Sequence, residues 1–245
     1  MTDEQPLTGG QVTAGVVRAG DTVRRPAGPW TDAVDALLTH LHQVGFTAAP
    51  RPLGRDDRGR QVLEYVPGEP ATPAPGELPS VARMLADLHD AAGDFVAPAG
   101  AAWNRLIPPD REELICHNDV APWNLIRSPR GWVLIDWDGA APASRLWDIA
   151  YAAQSMAGLQ PGLPVAEAAA RLRAFADGYG LADAGRAELA GLLGRRARGM
   201  WELLRDGARE GRQPWARLWV TDAPYWLAVA DYLDEHRESW LVALR

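Results

Sequence analysis

The sequence predicts an α+β protein of two unequal lobes: a small antiparallel β lobe with one helix, and a larger, mainly helical lobe. Three observations predict it. Residues 7–26 alternate short β-prone runs with Gly and Gly-Asp turns. From about Leu146 onward the chain reads almost entirely as helix. Between these regions, residues 67–79 are rich in Pro, Gly and Glu and read as a connector. The expected organisation is therefore a small lobe over 1–66, a hinge over 67–79 and a helical lobe over 80–245. Clefts between such lobes are common ligand sites.

Residues 7–26 predict two or three antiparallel strands. Over 30–44, Ala33, Val34, Leu37, Leu38, Leu41 and Val44 fall at helical spacing, so one helix face is buried. Pro50 and Pro52 close that region, and Gln61–Val66 is a strand stopped by Pro67-Gly68. Residues 80–92 predict a helix capped by Ser80. Residues 93–112 read as irregular. Leu114–Cys116 and Trp132–Asp136 are short apolar strands flanking a polar loop. Helices are expected over 146–157, 164–179, 184–210 and 222–243.

Composition narrows the function. The chain has 245 residues, 47% of them hydrophobic, and a net charge of -7, which excludes wholesale disorder and a nucleic-acid-coating role. All 25 Lys+Arg residues are Arg, so no chemistry can rest on a lysine. The single cysteine, Cys116, can form no disulfide within the chain. The N-terminal residues lack an apolar signal core, and no run approaches the ~18–20 apolar residues that span a bilayer. The expectation is a cytoplasmic protein with no membrane and no nucleic-acid partner.

The chemistry concentrates in His117-Asn118-Asp119-Val120-Ala121-Pro122-Trp123-Asn124 and in Val133-Leu134-Ile135-Asp136-Trp137-Asp138. One apolar strand ends at Cys116 and a loop presents His, Asp and Asn. A second strand delivers Asp136 and Asp138 at its C-terminal end. Two carboxylates and an amide oxygen converging there make a hard oxygen site of the kind Mg²⁺ prefers. A further carboxylate, Asp119, can then accept a proton from a hydroxyl nucleophile.

These residues resemble the aminoglycoside phosphotransferase family, relatives of the protein kinases that include choline and sugar kinases. The family writes its loop His-Gly-Asp-x-x-x-x-Asn and its metal motif Ile-Asp-(Trp/Phe)-(Asp/Glu/Gly). The resemblance implies a protein-kinase-like two-lobe fold and transfer of a phosphoryl group from ATP, with Mg²⁺, to a small-molecule hydroxyl. It implies Asp119 as catalytic base, His117 as support for the loop, and Asn124 and Asp136 as metal ligands. Leu85-x-x-Leu88-His89 and Leu146-Trp147-Asp148-Ile149-Ala150 resemble further family segments, with Asp148 a structural acceptor. Leu63-Glu64-Tyr65-Val66-Pro67-Gly68 resembles the hinge. There the backbone around Glu64 and Val66 would meet the adenine edge, and Leu63 and Val66 would pack beside it.

The small lobe departs from the family pattern. Where the family has a strand lysine, this chain reads Thr22-Val23-Arg24-Arg25-Pro26. Strand alternation gives Arg25 to the phosphates if Val23 packs over the adenine, with Arg24 as the register-slip alternative. The helix glutamate that orients the lysine has Asp32 or Asp35 in its place. The phosphate-covering turn, Gly9–Gly15, offers Thr13 and the backbone near Gly10. Asn118 replaces the family glycine.

The acceptor is expected to meet the helical lobe. Glu202, Asp206, Asp222, Asp231, Asp234 and Glu235 lie there with Trp201, Trp215, Trp219, Trp226 and Trp240. They read either as an acid-and-aromatic surface for an amine-bearing acceptor or as core tryptophans and solvated acids. The alternative function is a non-catalytic binding or immunity protein, for an antibiotic or toxic peptide, on a kinase scaffold.

Overall fold

The structure is a computed structural model, which describes residues 4–7 and 15–245. The small lobe is a five-stranded antiparallel sheet in the order β1-β2-β3-β5-β4. Its strands are β1 (Glu4–Pro6), β2 (Val17–Ala19), β3 (Thr22–Arg25), β4 (Pro52–Arg55) and β5 (Gln61–Glu64). Helix α1 (Thr31–Gln43) buries Ala33, Val34, Leu37, Leu38 and Leu41 of the face its spacing predicts, whereas Val44, expected on that face, caps the C-terminal end and is exposed. β4 is an addition to the predicted elements. Pro52 and Gly54 disguise it, yet Pro is tolerated at the first residue of an edge strand because no ladder N–H is needed there.

The connector is structured. β6 (Glu69–Pro70) pairs with β8 (Leu125–Ser128), and the Glu77 carboxylate takes the Arg127 guanidinium at 2.6 Å. Helix α2 (Leu78–Ala92) starts two residues before Ser80, which is not its cap: Ser80 Oγ donates back to the Glu77 carbonyl. Pro79 fits the first turn, where its missing N–H is no loss.

Two ribbons then frame the polar loops. β7 (Leu114–Cys116) pairs with β10 (Ala141–Ala143), and β8 pairs with β9 (Gly131–Leu134). The predicted flanking strands therefore do not pair with each other. Loop 117–124 runs from β7 to β8, and loop 135–140 runs from β9 to β10. Because the ribbons pair the far ends of both loops, the loops lie side by side.

The helical lobe comprises α3 (Arg145–Ala157), α4 (Val165–Tyr179), α5 (Asp183–Glu210), α6 (Trp215–Glu235) and α7 (Arg237–Ala243). The helix expected over 222–243 begins seven residues earlier and breaks at His236. Pro224 lies inside α6 rather than at its start. One apolar core unites α1, α2, both ribbons and the helical lobe, with Leu85, Leu88, Leu125, Leu134, Trp137 and Ile149 almost fully buried. Among the described residues, no helix is long and apolar enough to cross a membrane.

Candidate active site

Asp148, near the start of α3, is the fixed point of the site. It is fully buried, accepts from the backbone N–H of Asn118 at 2.8 Å and of His117 at 3.3 Å, and pairs with His89 of α2 at 3.1 Å. Burial alone would raise its pKa; the His89 hydrogen bond and the neighbouring donors outweigh burial and hold it below the ordinary value. His89, Cys116 and Asp148 bring ligand-type atoms within 4.8 Å of one another. They form a framework rather than a metal site, since the carboxylate is bound to N–H donors. The Cys116 thiol, its pKa pushed up by burial, faces the carbonyls of Ala143 and Ser144.

The loop hung from Asp148 is over-determined. Asn118 is left-handed, with φ 64°, a conformation that Gly and Asn tolerate best. Its amide donates to the carbonyls of Cys116, Gly139 and Ala141 at 3.1–3.3 Å, stapling loop 117–124 to the neighbouring one. A glycine would keep the conformation and lose the staple. His117 is buried; its Nε2 donates to the Ile135 carbonyl at 3.0 Å and its Nδ1 accepts from the Asp119 N–H at 3.2 Å. Burial lowers its pKa, which suits a neutral ring that positions the loop without moving a proton.

Asp119 is thereby aimed. Asn124 Nδ2 donates to its Oδ2 at 2.8 Å and to its carbonyl at 3.0 Å, and the Tyr151 hydroxyl of α3 bonds the same carboxyl group. Burial raises the Asp119 pKa to about 6, aided by the charge of Asp136 and opposed by Tyr151, Asn124 and Arg196. With its nitrogen on Asp119, Asn124 has its amide oxygen left to act as a cation ligand. Asp136, also left-handed at φ 59°, places a carboxylate on the adjacent loop. This amide oxygen and carboxylate fit a small, hard divalent cation.

Arg25 reaches across from the small lobe. It is buried, and its Nη2 lies 3.0 Å from Asp136 Oδ1 and also bonds Asp138, whose other oxygen accepts from Trp30 Nε1 at 3.0 Å. Val66, Ile126 and Val133, with Ile135 packed against them, form an apolar cluster separate from the main core.

A family model described as the phosphotransferase enzyme family matches residues 99–192. A trifolitoxin immunity protein of Rhizobium leguminosarum bv. trifolii is 37% identical over 198 residues, covering 74% of this chain and 76% of the relative. The chain belongs to the phosphotransferase enzyme family. Solved structures of the family fold agree over its length. A microcompartment-associated aminopropanol kinase superposes with a TM-score of 0.69 at 16% identity, covering 100% of this chain and 95% of the other. A choline/ethanolamine kinase family protein of Mesorhizobium loti gives 0.62 at 16%, covering 100% and 92%. The protein-kinase-like α+β fold expected from the sequence is thus found.

Of the two arginines, Arg25 faces Asp136, whereas Arg24 lies on the other face of β3 against Glu4 and Asp56. Neither acid of α1 reaches Arg25. Asp35 accepts from Gln61 at 2.6 Å, and Asp32 pairs with Arg55. The acid beside Arg25 comes instead from Asp138, two residues past Asp136. Thr13 and Gly10 lie outside the described residues. Leu63 and Val66 are buried at the end of the sheet. The Glu64 N–H donates to the Arg51 carbonyl and its carboxylate holds Arg130, so this N–H is already engaged. In the helical lobe Trp215, Trp226 and Trp240 are buried; Asp231 and Asp234 hold Arg198, and Asp206 holds Arg205. Sequence reasoning missed Tyr151, Arg196 and Trp30. Their only signal is a position on a helix or in a turn, with no local motif.

Proposed function

We propose that the chain moves the γ-phosphoryl group of ATP, with Mg²⁺, to a hydroxyl of a small molecule. The observation that carries this is the convergence of Asp119, Asn124 and Asp136 on two stapled loops, with Arg25 buried beside them. Asn124 and Asp136 would hold the cation, which supplies charge neutralisation at the phosphates. Arg25 would contact the phosphates as a forked donor, exchanging its aspartate partners for them. The apolar cluster around Val66, with Leu63 of β5 preceding it in the chain, would receive the adenine, its edge meeting the backbone at Val66. Asp119 would orient the acceptor hydroxyl and take its proton as the oxygen bonds to phosphorus and ADP leaves. Most of the rate would come from placement and charge rather than covalent chemistry.

The acceptor we propose is an amine-bearing alcohol. Trp226 stacks on Tyr151 with 6.1 Å between ring centroids, and Tyr225 packs against Trp226 and is partly exposed. The exposed member of this run, Tyr225, would offer a ring face to the acceptor's cation. The names of the fold neighbours, aminopropanol kinase and choline/ethanolamine kinase family protein, support the same class.

The test is phosphoryl transfer from labelled ATP to a panel of amino alcohols and aminoglycosides, in wild type and Asp119→Asn. Transfer is expected to fall by about 10²–10⁴-fold in the variant while Mg-ATP binding by calorimetry persists. Full transfer in the variant would overturn the assignment of Asp119. A second reading rests on the immunity protein among the relatives: protection of a cell against a toxic peptide without catalysis. Protection surviving Asp119→Asn and Asp136→Asn favours it; protection lost in both favours detoxification by phosphorylation.

A further inference from the structure

Arg196 on α5 is an arginine in an unusual place. It is 3% exposed. Its guanidinium lies over the ring of Tyr151, 4.4 Å from the centroid, with the ring of Trp147 at 5.6 Å. Nη2 donates to the carbonyl of Asn118 at 2.9 Å. Nε and Nη1 are buried and meet no acceptor among the described residues. A guanidinium has five N–H donors, and burying such a cation with a single hydrogen bond opposes folding. Buried ionic groups are weak contributors to stability, and their replacement by apolar side chains, partners included, is often neutral or better. Packing therefore does not account for a charge at this position.

The bond it makes does account for it. The Asn118–Asp119 peptide is gripped on both sides: its carbonyl by Arg196, its N–H by His117 Nδ1. Asn118 is the left-handed residue, so rotation of that peptide would swing the Asp119 carboxylate out of the site. The second element steering Asp119 is the Tyr151 hydroxyl, and the guanidinium packs on that same ring. The groups facing Arg196 are Tyr151 and Asp148 from α3 and Asp119 from the catalytic loop, two of them carboxylates.

Resting on the phosphotransfer reading, we propose that Arg196 is a positioning residue of the reaction, retained against the interest of stability, which clamps the Asn118 carbonyl and thereby sets Asp119. The two halves of this proposal have opposite signs in one variant. Arg196→Met should melt at or above the wild-type temperature, bind Mg-ATP as the wild type does, and turn over at least tenfold more slowly. Turnover is read as transfer to the best acceptor of the panel or, failing one, as hydrolysis of Mg-ATP. Arg196→Lys keeps the charge and a donor and should regain part of the rate.

A methionine variant that melts well below wild type, or fails to fold, makes Arg196 a structural support and overturns the proposal. So does unchanged turnover in a stable variant. Wild type that turns over no nucleotide with any acceptor or water overturns the phosphotransfer reading itself, and this inference with it. Turnover in wild type but equally in Arg196→Met sinks only the inference.

Discussion

Asn118 and Asp119 are neighbours with opposite demands. Asn118 needs a left-handed backbone and three carbonyl acceptors; Asp119 needs to be half-buried and still ionise. Asn118→Gly keeps the backbone and loses the staple, whereas Asn118→Ala loses the staple and adds strain of about 1–3 kcal/mol. Chemical denaturation should therefore rank stability as wild type, then glycine, then alanine. Asp119 gives a pH signature. Its carboxyl group titrates near 6 in the folded chain against an ordinary 3.8. Between these values the folded state keeps a proton that the unfolded chain has released, so this group costs stability as pH rises from about 4 to 6. Above pH 6 the deficit is about 3 kcal/mol. Asp119→Asn should raise the melting temperature at pH 8 and change it little at pH 4. A variant destabilised at pH 8 would contradict this account. The pairing of Asp119 with Asn124, and the nearby Asp136, were legible in sequence because two short motifs carry them. Arg196 was not, because it lies 78 residues from the carbonyl it holds and nothing local distinguishes it from a solvated helix arginine.

Among the elements, periodicity found the long helices and turn chemistry found β3 and β5. The short ribbons were harder. β8 and β10 have four and three residues, too few for alternation to show, and they exist because β9 and β7 offer them ladders. Glycines inside helices carried a second signal that a sequence reading treats only as weakness. Gly178 of α4 faces Pro79 of α2, and a Cβ there would run into the proline backbone. Gly207 of α5 lies against Trp215 of α6, where an added Cβ would run into the tryptophan Cβ. These positions set how closely the helices approach. Gly178→Ala should thus destabilise the fold by about 1–3 kcal/mol, although alanine is the better helix former by about 1 kcal/mol. Equilibrium unfolding in urea measures it, and a stabilised variant would mean that α2 and α4 can move apart freely.

At the scale of the whole molecule, charged contacts join the lobes beside the apolar core they share. Arg25 of the small-lobe sheet lies on Asp136 and Asp138 of the ribbon loop, Trp30 donates to Asp138, and Glu64 holds Arg130. The chain-wide absence of lysine makes Arg25 the cation beside the metal-type ligands, and its fork suits both aspartates and phosphates. A nucleotide bound with its cation between Arg25 and Asp136 would replace this ion pair with one ligand touching both lobes, so binding should stabilise the molecule as a unit. At a ligand concentration of 100 times Kd the gain is about 2.7 kcal/mol. For a chain of this length that corresponds to roughly 5–10 °C in melting temperature. The expected result is one cooperative transition, raised by ATP with Mg²⁺ and raised less by ATP alone. Asp136→Asn should lose the Mg²⁺-dependent part, and Arg25→Met should lose most of the nucleotide-dependent part. A shift of equal size in wild type and both variants would place the nucleotide elsewhere. No shift with ATP or GTP would leave Arg25 and Asp136 as an ion pair that only joins the lobes, and would turn attention to the binding-protein reading.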